Sequence, residues 1–307
     1  MKKEVFIGLT YGDPAGIGPE ILLETLKKWK FKSKPIIIGL KEIVFTTNKK
    51  RLKDKNLKLL SVPSKHTGLH SFLCLKEAAS MAKQKKIAAL VTGPVSKQLI
   101  NNAGIKFKGQ TEVLAKFCNI KPENVIMLFI AGDLKIALFT RHIPLKDVSS
   151  KLTKHQLINF ISLLNKELKK WFHIKNPKIA LLGLNPHAGE TKQLGTEEKR
   201  IIIPIINKFK KEGIKIFGPL SPDGTLAKAG QYYLNNKKQE YDVYISMYHD
   251  QALPMFKAVA GMEGVNVTLG LPFLRVSVDH GTAFDIAGKN IASNESLVSA
   301  VKLVDNL

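Results

Sequence analysis

Cysteine is nearly missing from this chain: Cys74 and Cys118 are the only two in 307 residues. They are too few and too far apart for a disulfide framework or a cysteine zinc site. Cys74, inside the apolar run Phe72-Leu-Cys-Leu75, reads as a buried free thiol. Long apolar runs are missing as well, and none approaches the roughly 20 residues that a membrane span needs. The first apolar run is too short for a signal peptide and passes directly into a strand, so a cytoplasmic location is expected. Neither the dinucleotide G-x-G-x-x-G nor a P-loop occurs, which leaves no Rossmann fingerprint. No repeat or low-complexity linker marks a domain boundary. Acidic residues are scarce: 25 Asp and Glu face 48 Lys and Arg, for a net charge of +23. That balance invites a nucleic-acid partner. The lysines are spread along the chain, however, and their densest runs, 49–55 and 208–213, lack interleaved aromatic platforms. The positive field favours small anionic substrates.

What is present is an alternation of strands and helices. Strands are expected from Val5, Pro35, Ile87, Val125, Leu134, Lys178, Ile214, Tyr241, Val265 and Leu274, with a short one at Leu57. Helices are expected over 21–30, 71–85, through Asn101, from Gln110 or Thr111, over 153–171, over 195–212 with a cap at Thr196, and over 295–305. The pattern predicts an α/β fold with much of its sheet parallel. Residues 218–225 read as a loop, and Pro254 is expected to limit how a helix can start after the strand at Tyr241. His66 and His70 flank Gly68 and read as solvent-facing loop residues.

Three histidines share one setting. His142, His187 and His249 each follow the carboxyl end of an apolar strand, with a proline nearby. Three imidazoles can hold a divalent metal and leave a position open for substrate; a hydrogen-bonded loop role is the alternative. Asp250 beside His249 is a candidate orienter or base, and Lys257 a candidate anion holder. Gly12-Asp-Pro-Ala-Gly-Ile-Gly-Pro-Glu20 reads as a tight strand-to-helix turn. In Asp279-His-Gly-Thr-Ala-Phe-Asp285, glycines expose backbone N–H groups and Asp285 can accept from ribose hydroxyls.

Five stretches then carry a resemblance: Gly12 to Glu20, Thr92-Gly-Pro-Val-Ser-Lys97, Leu184-Asn-Pro-His-Ala-Gly-Glu190, Met247-Tyr-His-Asp-Gln251, and Asn266 through Ala283. In order, over nearly the whole chain, they resemble the 4-hydroxythreonine-4-phosphate dehydrogenase family of pyridoxal phosphate biosynthesis. The first loop and His280-Gly281 to Lys289 also resemble the wider isocitrate and isopropylmalate dehydrogenase group, which binds NAD(P) without a Rossmann fingerprint.

The resemblance implies an α/β protein of two α/β/α domains flanking a cleft, isopropylmalate dehydrogenase-like and not a Rossmann fold. Residues 1–120 plus 259–307 form a discontinuous cofactor-side domain; 121–258 form the metal, substrate and dimerisation domain. It implies NAD(P)-dependent, divalent-metal-dependent oxidation and decarboxylation of 4-phosphooxy-L-threonine to 3-amino-2-oxopropyl phosphate. The cofactors implied are NAD or NADP and zinc, magnesium or cobalt. The assembly implied is a homodimer with its site at the interface, so the metal ligands His142, His187 and His249 need not converge within one chain. Gln110, Thr111, Lys257, Asn266 and Arg275 are implied to contact substrate, His280, Gly281, Asp285 and Asn290 the cofactor. Asp250, Lys97 and Asp223 are catalytic candidates. Two departures stand out. The family's usual His-Thr pair is Gln110-Thr111 here, and the loop around Asp223 is one residue longer than the usual pattern. Two alternatives stay open: the same chemistry on a phosphorylated four-carbon sugar acid and, more remotely, a basic nucleic-acid-binding protein.

Overall fold

The computed structural model describes residues 4–39, 66–190 and 192–307. The strand expected at Leu57 lies outside them. In chain order the strands are β1 (Phe6–Thr10), β2 (Lys34–Ile38), β3 (Ala89–Thr92), β4 (Ile126–Ala131), β5 (Leu134–Leu138), β6 (Ile179–Leu182), β7 (Ile216–Leu220), β8 (Val243–Ser246), β9 (Val265–Leu269) and β10 (Leu274–Val278). Among the described residues the α-helices of six or more residues are α1 (Gly18–Lys27), α2 (Thr67–Lys83), α3 (Lys97–Asn102), α4 (Gln110–Phe117), α5 (Lys154–Trp171), α6 (Ile203–Lys211), α7 (Pro222–Leu234), α8 (His249–Ala260) and α9 (Glu295–Asp305).

By its internal contacts the chain divides into two units, Met1–Val125 with Val265–Leu307, and Ile126–Gly264. In the first, the strand order is β2-β1-β3-β10-β9. All pairs there are parallel except the antiparallel β10–β9. In the second, the order is β4-β5-β8-β6-β7, antiparallel only between β4 and β5. Strands β3, β4, β6, β8, β9 and β10 are buried along their full length. That is why β4 and β6 read as unbroken apolar runs, whereas β9 and β10 alternate with buried polar residues.

Helix α5 shows how sequence becomes packing. The Thr153 hydroxyl accepts the Gln156 N–H at 3.2 Å and starts the helix. Leu157, Phe160, Ile161, Leu164 and Leu168 then recur on one buried face. Burying each stabilises the fold by about 1.5–3 kcal/mol before cavity effects. In the second unit's core, Phe129 meets Phe256 edge-on at 5.7 Å.

Several expectations are corrected. Helix α2 begins at Thr67, and His70 lies in it, fully buried, while His66 is exposed. Gly68 does not break the helix. A Cβ there would stand 2.1 Å from the Leu99 carbonyl oxygen, so close packing against α3 requires glycine. Residues 222–234 form α7, with Pro222 in its first turn, where the missing N–H costs nothing. Pro254 sits inside α8. Its ring removes the N–H that would bond the Asp250 carbonyl, yet the helix continues to Ala260. Thr196 does not cap α6; a π-helical turn, Glu198–Ile202, leads into it.

The buried His70 has a consequence for stability. Its Nε2 shares a hydrogen bond with the Tyr11 hydroxyl at 2.5 Å and lies 3.2 Å from the Cys74 sulfur. Burial lowers its pKa from 6.5 and pushes the Cys74 thiol up to about 12. With His70 depressed in the folded state, the unfolded chain binds more protons as pH falls below 6.5. Stability is therefore complete above that pH and declines below it. Thermal melts between about pH 7 and 5 are expected to show this decline. A His70→Asn variant, less stable at neutral pH, is expected to lose that part of the slope.

Candidate active site

In the first unit, buried strands carry polar side chains on one face. Thr268 of β9 lies opposite Arg275 of β10, and Asn266 lies opposite Ser277. Directly opposed residues share a face of the sheet. Arg275 is only 2% exposed. Its Nε and Nη2 donate to the Thr92 hydroxyl at 3.1 and 2.7 Å, Nη1 to the Thr268 hydroxyl at 3.0 Å, and Nη2 also to Gln110 Oε1 at 3.0 Å. Every one of these acceptors is a neutral oxygen. Burial lowers the Arg275 pKa to about 9, with Glu112 pulling it back up, so the group remains a cation at neutral pH. Four of the five N–H donors of a guanidinium are engaged by these bonds, and one on Nη1 remains. Nearby, Thr111 meets Thr268 at 3.4 Å, and the Asn266 Oδ1 is buried without a partner. A buried cation whose bonded acceptors are all neutral has the chemistry to receive an anion.

Gln110 is fixed at both ends, because its Nε2 donates to the Gly93 carbonyl at 3.1 Å. It begins α4 as the sequence indicates. Lys97 is exposed at the first position of α3, after Ser96, whose hydroxyl accepts the Leu99 N–H at 3.2 Å. The loops after β1 and β3 press together here: Asp13 N–H donates to the Pro94 carbonyl at 2.8 Å. A Cβ on Gly12, at φ +84°, would stand 2.0 Å from that oxygen.

The loop after β10 packs on the start of α1. Ile17 N–H donates to the Thr282 carbonyl at 2.9 Å, and Gly288 N–H to Glu20 Oε2 at 2.9 Å. A pocket of about 430 Å³ opens there, lined among others by Pro14, Gly16, Glu20, Gly288 and Asn290. Glu20 Oε1 and His280 Nε2 are buried atoms without partners. His280 Nδ1 bonds the Gly281 carbonyl at 3.0 Å. Gly281, Asp285 and Asn290 are exposed. Unpartnered acceptors beside glycine backbone fit a hydroxyl-rich ligand such as a dinucleotide.

In the second unit, β5, β8 and β6 are adjacent and parallel, and their carboxyl ends lead to His142, His249 and His187. Hydrogen bonds tie the ends together. Thr140 donates through its hydroxyl to the Met247 carbonyl at 2.6 Å. Gln251 accepts the Met247 N–H at 2.7 Å and donates to the Gly183 carbonyl at 2.8 Å. The His142 and His249 rings stand 5.5 Å apart. His249 Nδ1 bonds Asp250 Oδ1 at 2.6 Å, which leaves Nε2 for a metal. His187 begins a left-handed turn: His187, Ala188 and Gly189 have φ of 51°, 54° and 64°. For non-glycine residues that conformation costs about 1–2 kcal/mol each. Asp223, in the first turn of α7, accepts from the Ser221 hydroxyl. That bond lowers its pKa, and the charge of His187 lowers it further. Lys257 is exposed on α8.

The structure thus brings Gln110, Thr111 and Arg275 together, His142 with His249 and Asp250, and His187 with Asp223. The imidazole and carboxylate chemistry fits a divalent ion. Among the described residues, no three such groups gather in one chain to hold it. Sequence reasoning missed Thr92, Thr268, Gln251 and Glu20. All four lie in the stretches that carry the resemblance, and Thr92 is also the polar end of an apolar strand.

The model of the family "Pyridoxal phosphate biosynthetic protein PdxA" matches residues 21–304. The 4-hydroxythreonine-4-phosphate dehydrogenase of Sulfurihydrogenibium sp. (strain YO3AOP1) is 40% identical, over 97% of each chain. That of Aquifex aeolicus is 39% identical over 98% of each. The crystal structure of 4-hydroxythreonine-4-phosphate dehydrogenase from Klebsiella pneumoniae superposes with a TM-score of 0.83 at 29% identity, covering 98% of this chain and 97% of that one.

Proposed function

Because the chain belongs to the PdxA family of pyridoxal phosphate biosynthetic proteins, we propose that it is an NAD(P)-dependent dehydrogenase acting on 4-phosphooxy-L-threonine. It oxidises the hydroxyl carbon and releases CO2, giving 3-amino-2-oxopropyl phosphate. The observation that carries this reading is the buried Arg275, bound only by neutral oxygens beside Gln110, Thr111 and Asn266. Glu112 acts on the guanidinium only as a nearby charge, and an anionic substrate would add a directly bonded one.

The residues divide the work. Arg275 receives phosphate or carboxylate through its charge and remaining N–H, and Asn266, Thr111 and Lys257 add polar contacts. His142, His187 and His249 hold a divalent ion, whether zinc, magnesium or cobalt, and Asp250 orients the His249 ring. A divalent ion held there supplies Lewis acidity for ionising a hydroxyl and for taking up charge during decarboxylation. A bound nicotinamide supplies the hydride acceptor. Glu20, His280, Gly281, Asp285 and Asn290 hold the dinucleotide; Glu20 and Asp285 accept from ribose hydroxyls. Lys97 stands near the nicotinamide, and Asp223 is a proton acceptor beside His187.

The metal site is completed between two copies in a homodimer; within one chain His142 lies beside His249, while the charge of His187 acts on Asp223. Gln110 keeps the hydrogen-bonding role of the family's usual histidine without its ability to become cationic. A cation there would stand 3.0 Å from the Arg275 guanidinium. Among the described residues, no helix is long and apolar enough to cross a membrane.

Chelation is expected to abolish turnover, and zinc, magnesium or cobalt to restore it. Activity that survives exhaustive dialysis against chelator would rule out a role for the metal. Steady-state rates on 4-phosphooxy-L-threonine and on a phosphorylated four-carbon sugar acid separate the two substrate readings. A salt-sensitive gel shift with DNA is the signature of the remote nucleic-acid reading.

A further inference from the structure

The turn that carries His187 rests on a buried carboxylate, and we propose that Glu198 is a positioning residue that holds His187 in its metal-binding orientation. This rests on the reading of His187 as a metal ligand.

Glu198 is 2% exposed, yet no cation bonds it among the described residues. Its Oε1 accepts the backbone N–H groups of Leu184 and Asn185, both at 2.8 Å, and its Oε2 accepts Asn185 Nδ2 at 2.9 Å. An ionised carboxylate has acceptors only, so it matches three converging donors. Those donors come from the two residues that precede Pro186-His187. The Asn185 carbonyl in turn accepts the Ala188 N–H at 3.1 Å, which closes the turn around His187.

Further contacts tighten the arrangement. Glu197 takes the same Asn185 amide at 3.0 Å and is itself tied to the Ser149 hydroxyl at 2.7 Å. A Cβ on Gly189 would stand 2.5 Å from Glu198 Oε2, so the backbone after His187 runs directly against the carboxylate. Glu198 also opens the π-helical turn Glu198–Ile202, a turn type that recurs at functional sites. Two consecutive left-handed non-glycine residues persist only where the surroundings over-determine them, and Glu198 is the group that does so here. It acts through Asn185 and the backbone, as groups behind metal ligands commonly do.

The test is equilibrium dialysis of zinc ion against the full chain and three variants, Glu198→Gln, Asn185→Ala and His187→Ala. Glutamine keeps the volume of glutamate but turns one acceptor into a donor that faces an N–H. Glu198→Gln is expected to weaken zinc binding about 10–100-fold, with NAD binding unchanged. Asn185→Ala is expected to weaken it about tenfold. His187→Ala is expected to have the largest loss. A merely structural role would lower the melting temperature without moving zinc affinity in the folded protein. Lost affinity in His187→Ala with unchanged affinity in Glu198→Gln overturns the proposal. Where Glu198→Gln does not fold, unchanged affinity in Asn185→Ala does the same. Unchanged affinity in His187→Ala sinks the ligand reading instead, and the proposal with it.

Discussion

Replacing Arg275 by leucine is expected to lower kcat/KM for the phosphorylated substrate by about a thousandfold, mostly through KM. The group is a buried cation whose bonded acceptors are all neutral. Truncating one partner of a buried charge pair costs about 2–5 kcal/mol, and each 1.4 kcal/mol is about a factor of ten. The neighbouring oxygens sharpen the test. Thr92 accepts two guanidinium N–H groups, so Thr92→Val is expected to weaken substrate binding about tenfold, while Thr92→Ser keeps it. Arg275→Lys retains the charge but not the planar fork, and falls between wild type and leucine. A loss of only severalfold in Arg275→Leu, with an unchanged melting temperature, would make the guanidinium a bystander.

His249→Ala is expected to remove metal binding and reduce activity to background. The imidazole is fixed from behind by Asp250 at 2.6 Å and stands beside the His142 ring at 5.5 Å. The Asp250 bond selects the tautomer that presents Nε2 outward. Asp250→Asn is therefore expected to cost about 10–100-fold in metal affinity, less than losing the ring itself. Metal content after dialysis and steady-state rates read both effects. Full metal occupancy in His249→Ala would show that the histidine serves the loop rather than the ion.

Much of this was legible in the sequence because of where the polar residues interrupt apolar runs. The strands that end at His142, His187 and His249 read as buried, and they lie as neighbours in one sheet. The ordered motifs pointed to the family whose model the chain matches. What was not legible turned on packing. Pro222 and Gly224 look like loop residues, although Ser221-Pro222-Asp223 also has the pattern of a helix start. Gly68 looks like a helix breaker until the Leu99 carbonyl is found against it. Thr268 looks like an ordinary strand threonine, and Glu198 like a solvated helix acid. Their roles depend on Arg275 and Asn185, which lie 7 and 13 residues away along the chain.

The most direct measurement is turnover of 4-phosphooxy-L-threonine by the purified protein with NAD and a divalent metal, following the reduced nicotinamide and the released CO2 together. The proposed function predicts equal amounts of both, no turnover after chelation, and little activity on a phosphorylated sugar acid lacking the amine. Turnover of the sugar acid with none of the amino acid would contradict it.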